Sequence, residues 1–86
     1  MKKLSELERA RLRWRARRGL LENDLILTRF LDQYETRLTD VDVSALSILF
    51  EMGDNDLLDV LLARAELRGR YDTPDIQRLV RQMRAL

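Results

Sequence analysis

Three groups of residues in this 86-residue chain have types and spacings suited to chemistry. The run Arg17, Arg18, Gly19, Leu20, Leu21, Glu22 places a basic pair, a glycine and an acid close together, after a basic stretch and before an apolar one. Upstream, clustered arginines with Trp14 among them have the makings of a surface that tracks a phosphate backbone and stacks on a base. Downstream, Asp54, Asn55, Asp56 and Asp59 start like a calcium loop. Beyond these, absence narrows the field. With no histidine and no cysteine there is no zinc site of the usual ligands, no Ser-His pair, no imidazole base and no thiol nucleophile. Lys2 and Lys3 are the only lysines and sit at the terminus, where a buried Schiff-base amine is implausible. The serines read as cap and helix-surface residues.

Two of the three groups weaken on inspection. A twelve-residue calcium loop needs glycine at its sixth place and a bidentate glutamate at its last, and this chain has Asp59 and Ala65 there. Helix capping with solvated acids accounts for the acidic patch better. The three glycines are far apart, so neither a Rossmann fingerprint nor a P-loop can be written. Nucleic-acid domains are usually basic overall, with pI above about 9, whereas this chain has a net charge of +1 and a pI near 8.2. A small nucleic-acid-binding module is therefore the alternative rather than the first reading, beside an antitoxin-like regulatory interaction protein. No catalytic residue and no metal ligand is expected.

The elements that must position the remaining run are helices. Apolar residues recur at three and four, strand signals are missing, and the only proline is Pro74. The spacing predicts helices over roughly 6–17, 20–36, 40–52, 55–66 and 74–84. Ser5 with Glu8 makes a capping box for the first. Its apolar stripe is Leu4, Leu7, Ala10 and Trp14, which leaves Arg9, Arg13 and Arg17 on the side facing solvent or a partner. Gly19 interrupts the pattern and permits a change of direction. Helix two then presents Ile26, Leu27, Phe30, Leu31 and Tyr34 inward, with Glu22 and Asp24 in its first turn, where acids complement the positive helix end.

Thr39 with Asp42 caps the third helix, which buries some of Val43, Leu46, Leu49 and Phe50 and stops at Gly53. Asp54 is expected to cap the fourth, with Leu57, Leu58, Leu61 and Leu62 along it and an end before Gly69. Thr73 and Pro74 open the fifth as cap and first helical residue, and Ile76, Leu79, Val80 and Met83 form its inner face. Short connections imply an all-α, compact five-helix bundle or array, a single domain over residues 1–86.

A chain this short hides only a little over half of its unfolded surface, roughly 60% at about 60 residues, so no deep enclosed pocket is expected. Apolar runs of only a few residues rule out a membrane span, and no apolar h-region follows Lys2 and Lys3. The expected compartment is cytoplasmic, or the mitochondrial matrix in a eukaryote. Charge is segregated along the chain. Residues 1–18 carry eight basic against two acidic side chains, residues 19–66 three against eleven, and residues 67–86 five against two. Such a split favours a charged partner surface.

Read from composition alone, Arg17 to Glu22 is a helix break followed by a helix start. The stretch from Trp14 through Arg17, Arg18, Gly19, Glu22 and Asp24 to Leu27 resembles the signature of the succinate dehydrogenase assembly factor 2 family, called SdhE in bacteria. The family's hallmark is an arginine-glycine pair with glutamate three residues after the glycine, and Arg18, Gly19 and Glu22 match it. Similarity continues through Phe30, the Leu38-Thr39-Asp40 helix start and Asp54-Asn55-Asp56-Leu57, covering about Arg11 to Met83. Val60 departs from it, where an aromatic often stands, as does the residue after Tyr34, often a tyrosine.

The resemblance implies an assembly factor rather than an enzyme. Such a factor binds the flavoprotein subunit of succinate dehydrogenase, and often that of fumarate reductase, and promotes its covalent flavinylation. The bond forms on the client, where a histidine attacks the 8α carbon of the flavin. FAD thus belongs to the client, and no tightly bound cofactor is expected on this chain. The implied partner-binding residues are Trp14, Arg17, Arg18, Gly19, Glu22 and Asp24. In these roles Arg17 and Arg18 make charge-assisted hydrogen bonds to client carboxylates or carbonyls. Gly19 allows close backbone approach, Glu22 pairs with a client base or orients Arg18, and Trp14 and Asp24 flank the contact. A monomer is the expected state, with a weak dimer left open.

Overall fold

Capping chemistry sets where the helices begin. In the computed structural model, which describes residues 4–16 and 20–86, Ser5 N donates to Glu8 Oε1 at 2.9 Å and Glu8 N to Ser5 Oγ at 3.2 Å. This reciprocal pair opens α1 (Glu6–Ala16). The same device opens α3 (Asp40–Leu49), where Thr39 N donates to Asp42 Oδ2 at 3.0 Å and Asp42 N returns to Thr39 Oγ1 at 3.4 Å. Thr73 Oγ1 accepts from Ile76 N at 3.2 Å to start α5 (Pro74–Arg84), with Pro74 in the first turn. Between them lie α2 (Leu21–Tyr34), a 3-10 turn at Glu35–Arg37, α4 (Asp54–Leu61) and a second 3-10 turn at Gly69–Tyr71. The described residues thus hold five α-helices and no strand, in one all-α globule as expected.

The core joins all five helices. Leu27, Phe30 and Leu31 of α2 meet Ala45, Leu46 and Leu49 of α3, Leu57, Val60 and Leu61 of α4, and Ile76, Leu79, Val80 and Met83 of α5. Phe30 stacks on the half-buried Tyr34 with ring centroids 5.1 Å apart, and the Arg37 guanidinium lies over that tyrosine at 4.6 Å. α3 and α5 pack closely, and Asp42 links them at the surface of the seam. Besides capping its own helix, its Oδ1 accepts from Arg78 Nη2 at 2.5 Å.

Three expectations need correction. The stripe Leu4, Leu7, Ala10, Trp14 is not the inner face of α1. Leu12 and Ala16 are buried and Leu4 partly so, while Leu7, Ala10 and Trp14 are exposed. At 3.6 residues per turn Leu12 and Ala16 lie on roughly the opposite flank from Trp14, so the helix is rolled by about half a turn from the expected setting. This setting buries Leu12 and Ala16 and brings Arg13 to α2 rather than to solvent, where it bridges Asp32 at 2.8 Å and also Glu35.

The second correction is the α4 cap, which is Gly53 and not Asp54. The third is the end of α4 at Leu61, short of the expected 66. Ala63 adopts φ 61°, a left-handed setting, and the amides of Arg64 and Ala65 both fold back onto Asp59 O at 2.8 and 3.2 Å. From α5, Arg84 Nε donates to Val60 O at 2.9 Å and Nη2 to Ala65 O at 3.2 Å, which holds the elbow. Helices two and three also end slightly early, at Tyr34 and Leu49.

Two stability measurements check these causes. Left-handed alanine is strained by roughly 1–2 kcal/mol and glycine is not, so Ala63→Gly should raise the unfolding free energy by up to about 1 kcal/mol and with it the urea midpoint. An unchanged or lower midpoint would contradict the strain. Asp42→Ala removes a cap and a charged hydrogen bond together and should cost about 2 kcal/mol. Arg78→Ala keeps the cap and should cost less. The Arg78 guanidinium is raised above the ordinary arginine value, chiefly by its hydrogen bond to Asp42 and against the opposing effect of burial. As a titrating group it therefore contributes fully below the ordinary arginine pKa, as long as Asp42 is ionised, and loses that contribution on the alkaline side only as strongly alkaline pH passes the folded value.

Candidate functional site

The corrected roll of α1 creates a surface. Trp14, 73% exposed, stands at the edge of an open groove of about 480 Å³ between α1 and α2, lined by Ala10, Arg13, Ala16, Asp24, Thr28 and Leu31 beside it. Leu7, seven residues before Trp14 and so on the same flank, is 61% exposed. On α2, Leu21 and Leu25 are exposed at 68% and 56% and share a flank one helical turn apart. An apolar stripe on each of two adjacent helices, bordered by charge, is the kind of surface that soluble proteins keep for a partner.

Its frame is polar. Arg13 holds α1 to Asp32 of α2 and to Glu35 just beyond it. Burial lowers the arginine pKa and the hydrogen bonds to Asp32 and Glu35 raise it, with a net upward shift that keeps the group charged. Arg15 Nη1 donates to Ser47 Oγ at 2.8 Å, tying α1 to α3, and Ser47 Oγ donates in turn to Val43 O. Two arginines of the basic stretch are thereby used within the molecule. At the other end of the groove α2 begins from Leu20, which offers no side-chain cap. Asn23, fully buried, instead donates from Nδ2 to Asp54 O in α4 at 2.9 Å.

The six implied contact residues divide as follows. Trp14 and Asp24 come together on the groove. Glu22 is exposed in the first turn of α2, on a different flank from Asp24 because two residues span about 200° of helix. Arg17, Arg18 and Gly19 lie outside the described residues. Sequence reasoning missed Leu7, Leu21 and Leu25 as surface residues and Asn23 as a buried one. The spacing of Leu21 and Leu25, off the inner set of α2, was the available signal for two of them. Nothing in the pattern marked Asn23. Among the described residues no group of acidic side chains is arranged to hold a metal ion. The groove is open along its length, suited to a partner's side chains rather than to enclosing a substrate. No helix among the described residues is long and apolar enough to cross a membrane.

Fold and surface define a class: a small helical protein with a mixed apolar and charged exposed face. Residues 10–86 match the family described as "Flavinator of succinate dehydrogenase", and the chain belongs to that family. It is 59% identical over 78 residues to the FAD assembly factor SdhE of Ralstonia nicotianae, covering 91% of this chain and 82% of the relative. The SdhE of Pseudomonas savastanoi pv. phaseolicola is 32% identical over 80 residues, covering 93% and 90%. That of Aliivibrio fischeri is 40% identical over 65 residues, covering 76% and 71%. No solved structure matches the chain significantly.

Trp14 is the only tryptophan, so its setting is directly measurable. Its emission should lie near that of indole in water and be readily quenched by acrylamide in the folded protein. Trp14→Ala should change the unfolding free energy by less than about 0.5 kcal/mol, whereas Leu12→Ala should cost about 2–5 kcal/mol. Blue-shifted, protected emission would mean that Trp14 is core after all.

Proposed function

We propose that this chain is an FAD assembly factor that binds the flavoprotein subunit of succinate dehydrogenase and promotes covalent attachment of its flavin. The observation that carries this reading is the family match over residues 10–86, which includes the Arg18, Gly19 and Glu22 hallmark. The flavoprotein subunit of fumarate reductase is a second client of the same kind. FAD remains the client's cofactor, and this chain contributes orientation rather than an acid or base. Holding reacting groups in place can lower a barrier by roughly 7 to 11 kcal/mol in favourable cases.

The groove gives this reading physical content. Trp14 and the exposed leucines supply apolar contact area. Asp24 and Glu22, with Arg17 and Arg18 beside them in sequence, supply directional charge. The internal engagement of Arg13 and Arg15 tells against a phosphate-tracking face on α1 and favours a protein partner.

The test is covalent flavin on the client, read by in-gel fluorescence after denaturing electrophoresis of a strain lacking this protein. The wild-type gene should restore the fluorescent band. Gly19→Arg should fold and fail to restore it, because a long side chain obstructs close approach. Glu22→Ala should keep its folding and bind the client about tenfold more weakly, the loss expected for one charged hydrogen bond. Full flavinylation with Gly19→Arg would sink the assignment. Binding that instead tracks nucleic acid and collapses with salt would point to the alternative.

A further inference from the structure

Asn23 stands in sequence between the two acids of the α2 first turn and is 0% exposed. Its amide nitrogen donates to the carbonyl oxygen of Asp54, the first residue of α4. Its Oδ1 is buried and has no hydrogen-bond partner among the described residues. A buried carbonyl left unpaired costs free energy that a leucine of similar volume would not. Packing alone is therefore a poor explanation for asparagine at this place.

Its position supplies a better one. α1, α3 and α5 each begin with a side chain that accepts from the helix, which fixes the entry locally. α2, like α4, begins with no such bond, in its case from Leu20. Its first turn is instead tied to the start of another helix, 31 residues further along the chain, through Asn23. Glu22 and Asp24 flank that tie in sequence and project on different sides of it. The backbone amide of Asp24 closes the turn onto Leu20 O at 3.0 Å.

We infer that Asn23 is a positioning residue for the partner surface. Its bond to Asp54 O fixes the first turn of α2 against the start of α4, so that Glu22 and Asp24 meet the flavoprotein in register. This inference rests on the function proposed above.

The experiment compares wild type, Asn23→Leu, Glu22→Ala and the double variant as full chains. Calorimetric binding to the purified apo flavoprotein subunit of succinate dehydrogenase is measured beside urea unfolding. Asn23→Leu should unfold at the wild-type midpoint or above it, yet bind about tenfold more weakly, since one orienting hydrogen bond is lost. In the double variant the loss should be smaller than the product of the single losses, because Asn23 acts through Glu22. Wild-type affinity in Asn23→Leu, or losses that simply multiply, would overturn the inference. If Glu22→Ala still weakens binding in that case, the proposed function stands. If wild type itself does not bind, that function falls first.

A measurement on wild type alone covers the case in which Asn23→Leu fails to fold. The Asp24 amide should be protected from hydrogen exchange as well as amides in the middle of α2. Exchange as fast as at a frayed helix end would show that Asn23 holds nothing.

Discussion

The setting of α1 on the rest of the molecule combines two buried side chains with one two-armed guanidinium contact. α1 anchors in the core through Leu12 and Ala16, both nearly fully buried. Arg13 adds direction by reaching two acids, Asp32 in α2 and Glu35 beyond it, with different nitrogens of one planar fork. A fork bound at two points fixes orientation as well as distance. Once Arg13 faces α2, Trp14 must face outward beside the groove, and Leu7 goes with it. The exposed face of the protein is thus the reverse of what α1 buries and pairs behind it.

The same economy recurs elsewhere in this short chain. Asp42 caps α3 and binds Arg78 of α5. Arg84 ends α4 by holding two of the carbonyls around Ala63 from across the bundle. In a protein too small for a deep core, side chains that serve two elements at once make short helices act as one rigid body. Rigidity suits a helper whose task is to orient another protein's reacting groups, because an orienting surface that gives way under load contributes little. The absence of histidine and cysteine fits the function proposed above, in which the chemistry is left to the client.

Much of the fold was legible in the residues themselves. Ser5 with Glu8, Thr39 with Asp42, and Thr73 with Pro74 marked three helix starts correctly because capping is local and needs only a few neighbouring residues. The inner faces of α2 and α5 were readable for a similar reason: each has one dense apolar stripe. α1 was misread because its apolar residues are few and its arginines long. A stripe of Leu7, Ala10 and Trp14 looks like an inner face until a charge clamp elsewhere on the helix turns it out. At the site, the hallmark residues around Gly19 were visible as a motif, whereas the buried Asn23 had no signature at all.

The sequence by itself determined the helical class, most of the helix starts, the absence of histidine and cysteine chemistry, and the family hallmark from Arg18 to Glu22. All of these are written in composition or in spacings within one or two helical turns. Tertiary structure alone decided the roll of α1, the early end of α4 and the burial of Asn23. Each depends on a bond to a residue about 20 to 30 places away in the chain: Asp32 for Arg13, Val60 for Arg84 and Asp54 for Asn23. No local pattern can announce a partner that only folding brings within reach.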